Sequence, residues 1–367
     1  MRGVYVHIPF CVQKCKYCDF ASYTGDYELM HTYTTAVRRE AAPYCRMEAD
    51  TVYIGGGTPT ALEIGCLDEI LYMARSNFRL ADDFEFTVEA NPGTVTEEKA
   101  ELLRRYGVNR ISLGAQSFVD SELTTLGRIH TADDTAATFE MLRSYGFDNI
   151  SLDLMYSLPG QTMETLSKSV DRVLSLKPEH ISCYGLKIEE GTPFRNMLDR
   201  GEITENNEDE YADMYEYIVS SLANNGYERY ELSNFARNGR ISRHNTKYWT
   251  GEEYLGLGLG ASSYIDGRRF TKCSDFESYF KGFSLEEDVV LTEEEKMSEF
   301  VILGLRMVQK GISLSEFKAR FGREFYDVFG TQTDKYAKMN MLKVCGDRIK
   351  LTDKATYVCN SILCEFV

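Results

Sequence analysis

No run of about 18 apolar residues occurs in this 367-residue chain, so no membrane-crossing helix is expected. Positive charge is in short supply: 41 Lys and Arg stand against 57 Asp and Glu, a net charge of −16. So acidic a chain lacks the clustered cations that neutralise a phosphate backbone, which argues against nucleic acid as a partner. The opening segment MRGVYVHIPFCVQ has no long apolar region of the secretory kind and turns strand-like by Val4. A cytoplasmic location is therefore expected. Internal repeats and low-complexity segments are absent too. An apolar content of 43% suits a globular chain with a large core and two domains.

What the chain does have is thiols. Ten cysteines in a reducing compartment point to metal or redox chemistry before disulfides. Cys11, Cys15 and Cys18 form C-x3-C-x2-C, just after a strand-like run that Pro9 ends, and Phe20 stands two places beyond the last thiol. Spacing i, i+4, i+7 would also place three small buried side chains on one helix face. A structural zinc site closes with four ligands, whereas this local set stops at three. An iron–sulfur cubane is likewise held by thiolates, and three of them leave one iron open to a ligand from outside the chain. The other seven cysteines show no compact spacing and read mostly as core residues, with Cys359 and Cys364 near the end as candidates for exposure.

Short, nearly continuous apolar runs recur at 4–8, 51–57, 84–92, 110–117, 150–160 and 180–189, separated by helical patterns. Six such units in series predict parallel strands in an α/β barrel or open sheet. The notable polar residues sit where the runs end: the thiols after the first, GGGTP (55–59) after the second, then Glu89, Gln116 and Asp153 late in the next three. Such folds place their chemistry at the carboxyl ends of the strands, so these residues are expected to share one mouth. A further helix is expected near 207–225.

Beyond about residue 230 the texture changes. Residues 242–264 are rich in Gly and aromatics, and Thr292 with Glu295 spells a capping box before an apolar helix. Two more amphipathic helices and a short hairpin, RIKLTDKATYV, complete a winged-helix-like pattern. From Thr292 onward 12 Lys and Arg stand against 11 Asp and Glu, so scaffolding or partner contact is favoured over DNA binding. GLGLGAS (256–262) lacks the G-x-G-x-x-G spacing of a dinucleotide loop and is expected to be a close-packed turn near the ligand mouth.

Taken together, YVHIPFCVQKCKYCDF, GGGTPT, EANP, GAQSF, LGRIH and LDLMYSLPGQT resemble the radical S-adenosylmethionine (SAM) superfamily. Within it they resemble the HemN/HemW branch, which holds oxygen-independent coproporphyrinogen III oxidase and HemW-type haem chaperones. The resemblance runs through nearly the whole chain. It implies a partial (β/α)6 barrel over 1–230, a barrel extension and connecting segment over 231–285, and a smaller, mostly helical, winged-helix-like HemN-type C-terminal domain over 286–367. It also implies a 4Fe–4S cluster on Cys11, Cys15 and Cys18, with SAM at the open iron; members cleave SAM with one electron to release a 5′-deoxyadenosyl radical.

Residue by residue, the resemblance carries SAM contact to Tyr5, Gly56, Gly57, Thr58, Glu89, Gln116, Arg128 and Asp153. The chemistry suits them: carboxylates accept from an ammonium or ribose hydroxyls, Arg pairs with a carboxylate, and glycines admit close backbone approach. Each also has an ordinary reading as a strand-end cap, tight turn or ion pair. Lys187 lies near a further contact position of the branch but does not match it.

Two departures separate this chain from the oxidase. The oxidase resembles C-x3-C-x2-C-x-C, where this chain has Phe20 in place of a fourth thiol, and it carries an extension before the Y-x-H-I-P-F-C segment, which here begins at Tyr5. HNTKYW (244–249) is similar to the H-N-x-x-Y-W motif of the chaperones. His can ligate haem, and Tyr and Trp can pack on a flat macrocycle. His244, Tyr248, Trp249 and, near the cluster, His7 are therefore the haem-binding candidates. Trp249 could equally be a core anchor and His244 a turn cap. The function implied is haem carriage to haem-requiring respiratory proteins, with an electron donor for the cluster, visits to the membrane surface, and a homodimer among the allowed assemblies. Coproporphyrinogen III oxidase, or another radical SAM enzyme such as a methylase, stays open as the alternative.

Overall fold

Alternation within the strands explains the architecture. β1 (Arg2–Ile8) turns Val4, Val6 and Ile8 to one side, all fully buried, and Gly3, Tyr5 and His7 to the other. The same period of two recurs in β2 (Glu48–Gly56), β3 (Arg79–Ala90), β4 (Arg110–Gln116), β5 (Ile150–Tyr156) and β6 (His180–Gly185). In β4, for example, Ile111, Leu113 and Ala115 sink under helices, while Arg110, Ser112, Gly114 and Gln116 face inward. In the computed structural model, which describes residues 1–367, these six strands pair in sequence order and in parallel. Helices follow each strand, several held by side-chain caps: Asp26 accepts from Leu29 N–H, and Thr131 with Asp134 closes a capping box. The chain thus has an α/β fold with six parallel strands in sequence order.

The sheet does not stop at six strands. Tyr254–Leu257 adds in parallel beside β1 and continues antiparallel through 262–265, 268–272 and 285–290. At the other edge Asn234–Ala236 pairs antiparallel with β6, and 228–229 follows. This gives twelve strands, reaching residue 290. One core of 55 buried residues lies between the sheet and its helices.

A second core of 17 residues, centred on Phe317, Phe325 and Phe329, joins helices Glu293–Leu305, Leu314–Phe321 and Phe325–Lys338 to a three-stranded sheet. The Thr292–Glu295 capping box is present, and the hairpin is 342–345 with 348–351. No helix is long and apolar enough to cross a membrane.

GLGLGAS departs from its expected place. Its first part is the strand beside β1, and Gly258, at φ +101°, turns against Tyr33 and the His7 carbonyl. A Cβ at Gly258 would lie 2.5 Å from the Tyr33 hydroxyl and 2.7 Å from that carbonyl. The segment braces the outer flank of β1 and lines no part of the central cavity. Among the seven remaining cysteines, Cys66, Cys183, Cys273 and Cys359 are buried, whereas Cys45, Cys345 and Cys364 are exposed.

Candidate functional site

The inward faces of β2 to β6 enclose a cavity of about 440 Å³. Its mouth is the loop after β1. That loop is not helical: residues 11–21 hold no regular element, so the three thiols are not a helix face. It is pinned at several points instead. Cys11 N–H donates to Tyr23 O at 2.9 Å, Tyr23 N–H to Pro9 O at 2.7 Å, and Lys16 N–H to Leu126 O at 3.0 Å. Cys11, Cys15 and Cys18 all line the cavity and are all half-buried. Thr58 Oγ1 lies 3.5 Å from Cys11 Sγ, and Arg128 Nη1 donates to Cys15 Sγ at 3.4 Å. Burial raises the Cys11 and Cys18 thiols above their ordinary range.

No three His, Cys, Asp or Glu converge closely enough to hold a single metal ion. Three separated thiols with no fourth do not make a closed zinc site. They suit a body several ångströms across that leaves one metal for another ligand. Phe20, 62% exposed, sits at this mouth.

GGGTP holds the loop in place. Gly57 N–H donates to Ile8 O at 2.8 Å, Thr58 N–H to Phe10 O at 2.7 Å, and Gly56 N–H to Glu89 Oε2 at 3.0 Å. The amides of Gly56, Gly57 and Thr58 are therefore used within the fold. What they leave to a ligand is carbonyl oxygen, the right polarity for an ammonium. Gly56 needs its lack of a side chain: at φ +109° a Cβ would lie 2.4 Å from the His7 ring.

Glu89, Gln116, Arg128 and Asp153 also reach the cavity: Glu89 and Gln116 from the ends of β3 and β4, Asp153 from the middle of β5, where the sequence placed it late in its run, and Arg128 from a loop. Gln116 closes β4 in the left-handed region at φ 64°, a strained conformation of the kind found beside ligand sites. Arg128 donates to Asn91 Oδ1 at 2.6 Å and to the Gly114 carbonyl, and its Nε is left without a partner. Burial pushes the Asp153 carboxyl up, against hydrogen bonds from Ser182, Ser112 and Ser151 that act to lower it.

Glu89 accepts from Tyr53 Oη at 2.6 Å, yet burial lifts its carboxyl to about 7. The folded carboxyl thus keeps a proton that an unfolded one, near 4.5, releases. Between those values the folded state binds more protons, so Glu89 makes stability fall as pH rises from about 4.5 to about 7. Glu89→Gln is expected to remove that fall. Relative to the parent, it should be about 1–2 kcal/mol more favourable at high pH than at low pH, allowing for water in the cavity. Urea unfolding of both proteins at pH values on either side of the window checks this. A difference between them that does not change with pH would contradict it.

Tyr5 and the four haem candidates lie outside the cavity lining. Tyr5 and His7 share a hydrogen bond of 2.9 Å, and His7 Nε2 faces Ala21 O at 3.2 Å. His7 therefore ties the end of the thiol loop to β1, and both its nitrogens are occupied. His244 is fully buried, with Nδ1 at 2.9 Å from Thr51 Oγ1 and Nε2 at 2.8 Å from Tyr248 Oη. Burial lowers it to about 3, so it is neutral and hydrogen-bonded on both sides. The expected free imidazole is not there.

Helix geometry explains the rest. Positions 244 and 248 share a face of helix Arg243–Thr250, and Tyr248 borders a groove of about 200 Å³ with Tyr254, Phe300 and Arg269. Trp249, one residue on, turns to the C-terminal unit, where the Arg306 guanidinium stands 4.7 Å from its ring. The motif's members thus face different ways.

That helix closes the bottom of the barrel. Glu85 accepts the Arg243 and His244 amides, each at 3.0 Å, which suits a carboxylate at a helix N-terminus. His244 stacks on Tyr53 at 5.2 Å between ring centroids, and Tyr53 in turn holds Glu89. The residue of HNTKYW that does line the cavity is Asn245. Tyr53, Arg110, Ser112, Ser182 and Asn245 are cavity residues that the sequence reading missed. Strand parity would have found several of them, because counting back by twos from Gln116 reaches Ser112 and Arg110.

Comparison with known proteins follows this geometry. A domain family described as the radical SAM superfamily matches residues 5–173, and the HemN C-terminal domain matches 291–358. A protein named heme chaperone HemW from Lactococcus lactis subsp. lactis (strain IL1403) is 38% identical over 369 residues, covering 100% of this chain and 97% of that one. Its namesake from Bacillus subtilis (strain 168) is 36% identical, covering 100% and 99%. Among solved structures, coproporphyrinogen III oxidase (HemN) from Escherichia coli superposes with a TM-score of 0.86 at 23% identity, covering 99% of this chain and 89% of that one. At that identity the structural likeness speaks for the fold.

Proposed function

The chain belongs to the HemW family of the radical SAM superfamily, and from that premise we propose that it is a haem chaperone, one that binds a 4Fe–4S cluster, SAM and haem and passes haem to respiratory haem proteins. The observation that carries the reading is identity of 38% across 97% of a relative named a heme chaperone. Phe20 supports it, since the position where the oxidase pattern has a fourth thiol holds an exposed aromatic ring at the cavity mouth.

In this reading Cys11, Cys15 and Cys18 hold the cluster. When bound, the cluster and SAM together supply one-electron chemistry. The chain's own residues bind and orient. The carbonyls of Gly56 and Gly57 and the Glu89 carboxylate receive the SAM ammonium, and Arg128 pairs with its carboxylate. Asp153 and Gln116 take ribose hydroxyls, with Thr58 as the remaining contact, while Tyr5, outside the cavity lining, acts through His7 on the thiol loop. Glu89 deprotonates more readily once an ammonium faces it.

Haem is assigned to the helix Arg243–Thr250. Tyr248, facing the open groove, makes the contact, while His244, His7 and Trp249 position the elements around it. An outside electron donor serves the cluster, and haem delivery brings a cytoplasmic protein to the membrane surface. A test is transfer itself. Haem-loaded protein, freed of unbound haem, is expected to convert a haem-free respiratory haem protein to its holo form. Haem that stays on the chain beside a competent acceptor counts against the proposal.

A further inference from the structure

Two guanidiniums and two carboxylates, Arg110, Arg128, Glu89 and Asp153, lie on the inner strands and the loop above them, with Asp19, Lys187 and Glu189 also on the lining, yet these four do not pair with one another. Glu89 is satisfied by Tyr53 and the Gly56 amide, and Asp153 by serines. Arg128 at the mouth donates to a thiol, an amide oxygen and a backbone carbonyl. Arg110 at the floor is 2% exposed and makes no hydrogen bond to a carboxylate, although its charge acts on Asp153 across the cavity and favours that carboxylate. Only its Nη1 is engaged, donating to Asn149 Oδ1 at 3.1 Å and Arg240 O at 3.3 Å.

A buried guanidinium with donors left unbonded is costly, and the unbonded side of this one is open to something that enters the cavity. Its surroundings agree. Thr87, its neighbour across β3 and β4, has a buried hydroxyl with no partner, and the Asn245 side chain borders the same space. His180 on the facing strand has both nitrogens occupied, by Ser151 and Tyr230, so it competes for no anion.

SAM carries one carboxylate, and its other ionic groups are cations. Arg128 is held at Gly114, whose backbone lies about 13 Å along β4 from that of Arg110 at strand rise, and Arg110 Nη1 is tied at the other end of the cavity by Asn149 and Arg240 O. One carboxylate cannot serve both. We propose that the cavity floor is an anion site, built on Arg110 and Asn245, that takes the carboxylate of a second ligand bound beneath SAM. It rests on the SAM assignment above for the occupancy of the mouth. The carboxylate belongs to a free organic acid, or to a propionate of haem seated in the cavity instead of on the Tyr248 groove, which shares no lining residue with it.

The test uses the full chain and sodium propionate as probe, with binding read by saturation-transfer NMR, with and without SAM. Parent protein is expected to bind propionate in both conditions. Arg110→Gln should weaken that binding about tenfold or more, and Asn245→Ala about threefold. Equal binding by parent and Arg110→Gln overturns the inference. So does competition in which SAM expels propionate, because Arg110 would then serve SAM itself.

Propionate binding in a chain that takes no SAM would sink the SAM assignment and leave the anion site standing. If circular dichroism shows Arg110→Gln misfolded, Asn245→Ala carries the same comparison, and unchanged propionate binding in it overturns the proposal. Haem against haem dimethyl ester then names the bearer. A preference for haem that Arg110→Gln abolishes assigns the site to a propionate, and equal binding of the two assigns it to a free acid.

Discussion

Replacing Cys15 by Ser is expected to leave a folded chain with almost no bound iron or sulfide, where the reconstituted parent holds about four irons. The thiol is half-buried and accepts from the Arg128 guanidinium. The loop around it is fixed by backbone bonds that Ser leaves intact, among them Lys16 N–H to Leu126 O and Phe194 N–H to Lys16 O. Stability of the apo-protein should therefore move by less than about 1 kcal/mol. Iron and acid-labile sulfide analysis after anaerobic reconstitution reads the first effect, and urea unfolding the second. A Cys15→Ser chain that retains a full complement of iron would mean that the triplet is not the cluster site.

His244→Ala should unsettle the protein rather than only its haem. The imidazole is fully buried, bonded at both nitrogens and stacked on Tyr53. Its loss opens a cavity and strands the buried Thr51 hydroxyl, for an expected cost of about 3 kcal/mol. Tyr53 also holds Glu89, so SAM affinity should fall along with stability. Tyr248→Phe, which keeps the ring and removes one hydrogen bond, should cost about 1 kcal/mol. Unfolding midpoints and SAM titration check both variants. Unchanged stability of His244→Ala with a selective loss of haem would instead make that histidine a haem ligand, and the buried network incidental.

Much of this was legible in the sequence, because buried parallel strands write themselves as short apolar runs. All six strands and their parallel sense followed from that pattern, and the Thr292–Glu295 cap and the helix that runs from Glu208 to Asn224 could be read as well. Residues at and after strand ends were legible too: the thiols, Thr58, Glu89 and Gln116 meet in one cavity, joined by Asp153 from the middle of β5 and Arg128 from a later loop. What escaped was whatever depends on direction rather than position. Nothing local in HNTKYW says that it plugs the barrel, because Glu85, which caps it, lies 159 residues from His244. A motif rich in haem-compatible side chains therefore reads as a ligand set, although its histidine is a core group and its Trp faces another unit. Arg110 escaped because a charge at the start of an apolar run looks like a boundary; only closure of the sheet turns it inward.

The central claim is that this fold carries haem rather than decarboxylating a porphyrinogen. Anaerobic reconstitution of the cluster, followed by two assays on one sample, tests it most directly. The account predicts haem bound at about one equivalent per chain and no decarboxylation of coproporphyrinogen III when SAM and a reductant are supplied. Sustained decarboxylation with consumption of SAM would contradict it.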